Sequence, residues 1–80
     1  MTDAELIART SLRLVNASSV YVLFKYGEIL IKDALPYLGK SYPKGSAACV
    51  IGWPWSEEPH TLVLGVRDGG RVDWYRGDLP

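Results

Sequence analysis

The chain has 80 residues and a formal net charge of zero, because nine Lys and Arg residues balance nine Asp and Glu residues. This balance removes the usual electrostatic basis for binding a nucleic acid backbone, and a chain this short is not expected to enclose a deep active site. Hydrophobic residues make up 48% of the chain, including three Trp, five Tyr and one Phe, so one compact domain over 1–80 can form a core without disulfides or metal.

Cysteine usage and the N-terminal sequence predict the cellular location. A single Cys excludes an internal disulfide, and no Cys or His cluster has metal-site spacing, so we expect a reducing compartment and neither metal nor cofactor. The first residues are polar and acidic, unlike a signal peptide, and the longest apolar run, Val20–Phe24, is far shorter than the ~20 residues that span a bilayer. We expect a cytoplasmic protein without membrane contact, as a monomer or small homo-oligomer.

The N-terminal segment predicts an amphipathic helix from about Asp3 to Val15. Thr2 and Glu5 have the spacing of a capping box, which marks a helix start. At 100° per residue, the apolar side chains form one arc, which we expect to cover a face of a sheet. The arc contains Ala4, Ile7, Ala8, Leu12, Leu14 and Val15.

The middle of the chain predicts two strands separated by an ambiguous segment. Residues 20–26 are rich in β-branched and aromatic side chains and predict a central strand, and residues 47–53 predict a buried one. Residues 28–38 fit either a strand or a helix, and we favour a short helix that Pro36 ends or kinks near Leu35. Gly, Ser and Pro make 39–46 a loop.

The C-terminal quarter predicts a β-hairpin, in which Asp68, Gly69 and Gly70 form the turn between two alternating segments. We place Val72 and Trp74 on the same face as the apolar side chains of the first segment, which are Leu62, Leu64 and Val66. Residues 76–80 read as a frayed tail. The predicted fold class is therefore α+β, with the N-terminal helix and a short second helix packed on a mostly antiparallel sheet of about four strands.

Reactive groups are too few to predict catalysis. Cys49 and His60 are the available nucleophile and base, and neither lies in a recognised motif. Glu57 and Glu58 are neighbours in one loop rather than acids that face each other across a substrate. The glycines of 65–70 lack the Lys and helix of a phosphate loop, and Arg-Gly-Asp at 76–78 is a chance match. We expect no catalytic residue and no enzyme activity.

Aromatic and basic residues near the C-terminal half are the candidates for a binding surface. Trp and Arg are enriched at the energetic centres of protein interfaces. The predicted partner-binding residues are Trp55, Arg67, Arg71, Trp74 and Arg76. Lys40 and Lys44 can join these arginines in a local positive patch despite the zero net charge.

The chain is small, neutral and poor in motifs. In this character, and in the segments Met1–Arg9 and Ile51–Trp55, it resembles small phage-encoded anti-CRISPR proteins directed at type I systems, type I-C among them. The resemblance implies stoichiometric contact with subunits of the CRISPR surveillance complex in the host bacterial cytosol. Such contact would block target DNA binding or nuclease recruitment without turnover and without direct binding of nucleic acid.

Two other functions fit the same sequence. A host regulatory or adaptor module would have this composition and would be recognised by a copurifying partner. A small-ligand-binding domain would use the aromatic residues as a pocket wall, and its ligand would raise the thermal stability of the protein.

Overall fold

The computed structural model describes residues 2–16, 28–51 and 61–78 as one helix, one 3-10 helix and five strands. The strands form a single antiparallel sheet of order β1-β5-β4-β3-β2, so the chain has an α+β fold. The helices and strands are α1 Asp3–Arg9, β1 Arg13–Val15, β2 Glu28–Ile29, the 3-10 helix Leu35–Leu38, β3 Ala47–Ile51, β4 Thr61–Asp68 and β5 Arg71–Asp78. The predicted strand over 20–26 lies outside the described residues.

Helix α1 begins as predicted but ends six residues early. The Thr2 hydroxyl oxygen accepts a 3.2 Å hydrogen bond from the backbone N–H of Glu5, which confirms the predicted cap. At the other end Thr10 turns extended and its hydroxyl donates to the Leu6 carbonyl at 2.8 Å. The predicted helix over 10–15 is wrong, because β1 forms there and pairs with β5. Alternating apolar residues over 12–15 fit a strand as well as a helix, and tertiary pairing decides between them.

Residues 28–38 contain both structures that the sequence allows, a strand and a short helix, but the helix is a 3-10 helix that begins only at Leu35. Strand β2 pairs with β3 through Ile29 and Ala48. The chain then turns, with the Ala34 N–H donating to the Ile31 carbonyl at 2.7 Å. Pro36 lies in the first turn of the 3-10 helix, where its missing N–H costs no intrahelical bond. Strand β3 confirms the described part of the predicted strand over 47–53.

The hairpin is confirmed, but the register of its two strands differs from the prediction by one residue. Asp68 pairs directly with Arg71, so the turn has two residues rather than three, and Gly69 adopts φ 63°. A one-residue change in register moves every side chain of a strand to the other face of the sheet. Val72 and Trp74 therefore lie on the face opposite Leu62, Leu64 and Val66, which corrects the sequence prediction. The predicted frayed tail is also wrong at 76–78, where β5 continues.

One face of the sheet, called here the first face, forms the core with Ile7 of α1 and the 28–38 segment. Directly opposed residues share a face, so Tyr75 faces the core beside Leu64. The buried cluster comprises Ile7, Ile31, Ala34, Leu38, Ala48, Leu62, Leu64, Val66 and Tyr75. In the part of the chain that the structure describes, no helix is both long and apolar enough to cross a bilayer.

Candidate functional site

The sheet register brings together three of the five predicted partner-binding residues. Arg67, Trp74 and Arg76 lie on the second face of the sheet, opposite the core. Arg71 lies on the first face, where its Nε is 3.5 Å from Oδ1 of Asp73, so it does not share a face with the other three. Trp55 lies outside the described residues.

Three consecutive cross-strand pairs on the second face define what we call the tryptophan patch. The pairs are Arg13 with Arg76, Val15 with Trp74, and Val72 with Arg67. Directly opposed Cβ atoms in an antiparallel sheet are about 5 Å apart, so these six side chains form one continuous surface. Its members are exposed or half-buried, and Val72 is 39% exposed.

Trp74 is held in place by the glycine beside it. A Cβ atom on Gly65 would lie only 2.8 Å from Cζ3 of Trp74, so the indole ring lies directly over the Gly65 backbone. Gly65 and Val63 occupy the same face on β4 and are buried, so on β4 only the turn end adds an exposed side chain to this face. The ring is therefore positioned before any partner arrives.

A second group of polar residues anchors the loop after the 3-10 helix to β5. Lys40 Nζ forms an ion pair with Oδ2 of Asp73, and the Tyr42 hydroxyl lies 3.4 Å from the same oxygen. The Tyr42 and Tyr75 hydroxyls are also hydrogen-bonded to each other, with their rings edge to face at 6.4 Å between centroids. Tyr75 is 1% exposed, so Tyr42 supplies a partner for a hydroxyl that water does not reach.

This network shifts two pKa values in opposite directions. The hydrogen bond from Lys40, with the charges of Lys40 and Arg71, holds the pKa of Asp73 below its ordinary value against the opposing effect of burial. Burial raises the pKa of Tyr42 well above its ordinary value, and the hydrogen bond with Tyr75 and the negative charge of Asp73 act in the same direction. Asp73 is therefore charged and Tyr42 neutral at neutral pH.

The described residues bring no catalytic group together. Cys49 lies in β3, opposite Gly65, while His60 and the two adjacent glutamates lie outside the description. In the described ranges no three His, Cys, Asp or Glu side chains form a group that could hold a metal ion. The Arg-Gly-Asp tripeptide lies within β5, and its glycine is buried.

Comparison of the chain with protein-family models, with curated proteins and with solved structures gave no match.

Sequence reasoning misses three members of the tryptophan patch, Arg13, Val15 and Val72, and it also misses the anchor of the loop. Arg13 and Val15 were assigned to the predicted helix, although their alternation with Leu12 and Leu14 also fits a strand. Tyr42 and Asp73 are 31 residues apart, and no local pattern joins them. The basic residues are separated only in part. Lys40 and Lys44 line a cleft beside the loop and Arg76 lies on the second face, but Lys44 and Arg67 line a second, smaller cleft together.

Proposed function

We propose that this protein is a binding module that acts by contact through the tryptophan patch, with no turnover. The observation that carries the proposal is the set of three arginines and one fixed indole on three adjacent cross-strand pairs. Trp and Arg are the residue types most enriched at the energetic centres of protein interfaces. A patch on a sheet also presents them at fixed spacing, which reduces the entropy lost on binding.

The charge of the patch indicates the kind of surface it fits. Arg13, Arg67 and Arg76 share the second face with a single acidic residue of β5, Asp78. Arg13 and Arg76 are directly opposed across β1 and β5, where like charges disfavour pairing of the strands. An acidic partner surface would supply carboxylates that accept charge-assisted hydrogen bonds from the exposed Arg13 guanidinium group.

The partner we propose is a protein subunit of a bacterial type I CRISPR surveillance complex, contacted in the bacterial cytosol. The resemblance of the chain to anti-CRISPR proteins supports this choice, and the proposed effect is a block of target DNA binding or nuclease recruitment. The zero net charge argues against mimicry of DNA, so covering of a protein surface is the mode that fits this chain.

A binding assay with purified type I surveillance complexes tests the proposal. Two single variants, Arg13→Glu and Arg67→Glu, each reverse one charge of the patch. Each should weaken binding about tenfold or more. Arg71→Glu is the matched control, because it makes the same change in the same hairpin at a residue whose side chain is 72% exposed on the first face. It should bind like the unchanged protein.

Failure to bind any type I complex would remove the proposed partner. Equal loss in Arg71→Glu and Arg67→Glu would remove the proposed surface. Binding of nucleic acid that the Arg67→Glu change abolishes would assign the same patch to a different kind of partner, and would contradict contact with a protein. A copurifying host protein sensitive to the same changes would favour the adaptor function instead.

A further inference from the structure

A cleft of about 570 Å³ lies between the 3-10 helix and the loop that follows it. Its volume falls in the range of small-molecule sites, roughly 300–1,000 Å³. Three lysines line it, Lys32, Lys40 and Lys44, together with the apolar residues Leu35, Pro36 and Pro43. None of the described residues that line this cleft is acidic. It is separate from the tryptophan patch, since its anchors Asp73 and Tyr75 lie on the first face.

The three lysines differ in how their charges are used. Lys40 is paired with Asp73 and lies 5.3 Å from the centroid of the Tyr42 ring, so its ammonium group holds the loop. Within the described ranges, Lys32 and Lys44 are exposed and have no ion-pair partner. Asp33 is next to Lys32 in the chain but does not line the cleft. Two ammonium groups are therefore available to an anion.

The wall of the cleft is fixed before a ligand binds. Lys40 and Tyr42 tie the loop to β5, and further along the loop Ser46 donates from its backbone N–H and its hydroxyl to the Pro43 carbonyl, at 3.1 and 2.9 Å. Lys44 lies between Tyr42 and Ser46 and is thus on an anchored segment. A preformed site loses less conformational entropy when it binds.

We propose that this cleft binds a small phosphate-bearing ligand with an apolar portion, of the nucleoside diphosphate type. Lysine ammonium groups bind phosphate as point charges, and two of them match a ligand with more than one negative charge. Leu35, Pro36 and Pro43 offer the surface on which a ring or chain would pack. This inference does not depend on the proposed partner or on the tryptophan patch.

Titration with pyrophosphate and with ADP, followed by calorimetry and by backbone amide NMR, tests the inference. Both probes should shift the amide resonances of residues 39–45, and ADP should bind more tightly because of its apolar portion. Lys44→Gln and Lys32→Gln should each weaken binding about tenfold, the loss expected when a hydrogen bond to a charged group is removed. Arg9→Gln removes the same charge from an exposed residue of α1 and should leave binding unchanged.

Several results would overturn the inference. These are the absence of binding at millimolar pyrophosphate or ADP, an equal loss in Arg9→Gln, or an affinity for ADP no higher than that for pyrophosphate. Tighter binding of a polyglutamate peptide than of ADP would show that the cleft takes an acidic protein segment instead. Lys32 and Lys44 are exposed, so both variants should unfold at the temperature of the unchanged protein, which separates lost binding from lost folding. Arg13→Glu should bind ADP normally even if it no longer binds a surveillance complex.

Discussion

The two faces of strand β5 differ in what their side chains do. On the first face, Asp73 and Tyr75 bond to the 39–46 loop, and Tyr75 packs in the core. On the second face, Val72, Trp74 and Arg76 are exposed or half-buried and meet β1 and the turn end of β4. Alternating residues of one strand thus serve stability on one side and form the proposed binding surface on the other.

Residues opposite each other across β4 and β5 face the same way, but the two strands differ in burial. Residues 61–66 of β4 are buried on both faces, whereas in β5 the buried residues Tyr75 and Gly77 lie on the first face. Neighbouring positions along β5 should therefore respond differently to the same substitution, and stability measurements on matched residues test this difference.

The largest expected effect is the loss of a core side chain from the first face. Leu64 is fully buried beside Tyr75, so Leu64→Ala should lower the free energy of unfolding by about 3 kcal/mol, as lost burial and the remaining cavity both contribute. Val72→Ala, on the second face of the same hairpin, should cost less than about 0.5 kcal/mol. Urea denaturation measures both values, and similar losses in the two variants would contradict the distinction between the faces.

A smaller effect is expected where the chain between α1 and β1 crosses the first face. A Cβ atom on Gly77 would lie 2.5 Å from the carbonyl oxygen of Ser11, and backbone cannot rotate away as a side chain can. Gly77→Ala should therefore cost about 2 kcal/mol. Gly70→Ala is the control, because nothing lies within 4 Å of the added atom, and its stability should change little. Equal melting temperatures for the two variants would show that this crossing is not tightly packed.

Features that depend on neighbouring residues were predictable from the sequence. The cap at Thr2 and the hairpin around Gly69 each rest on a few adjacent side chains and were found. The end of α1 was not, because the competing partner of β1 is strand β5, some 60 residues further along the chain. The sequence leaves 28–38 open between a strand and a helix because periodicity alone does not distinguish such short segments, and the structure contains one of each.

In the candidate site, too, features that depend on residue type are predictable and features that depend on tertiary contacts are not. Arg67, Trp74 and Arg76 were predicted as binding residues from residue type, and the structure places them on one face. Arg71 flanks the same hairpin turn as Arg67, which is why the sequence groups the two, but Arg71 and Trp74 are three residues apart on β5 and therefore lie on opposite faces of the sheet. The Asp73 network was beyond sequence reasoning, because it joins a loop to a strand through tertiary contacts only.

A still smaller effect is expected at Asp73, and it depends on pH. Asp73→Asn removes the ion pair with Lys40 and should cost about 1–2 kcal/mol at neutral pH, since the Asp73 side chain is only 14% exposed. The pKa of Asp73 is lowered in the folded protein, so its contribution is present above the unfolded pKa of about 4 and is lost as the pH falls through the folded value. The difference in unfolding free energy between the two proteins should therefore narrow below about pH 4.

Tyr42→Phe separates the charge of Asp73 from the rest of its network. This change keeps the ring beneath Lys40 and the ion pair, so the acid dependence should remain while the neutral-pH loss is about 1 kcal/mol. The raised pKa of Tyr42 adds an alkaline test, because the stability that it contributes should be lost as the pH rises above the unfolded value of about 10. Tyr42→Phe should lack that alkaline loss. The unfolding free energies of Asp73→Asn and of the unchanged protein should not differ by a constant amount from neutral pH down to strong acid. A constant difference would show that the carboxylate charge does not hold the loop to the first face.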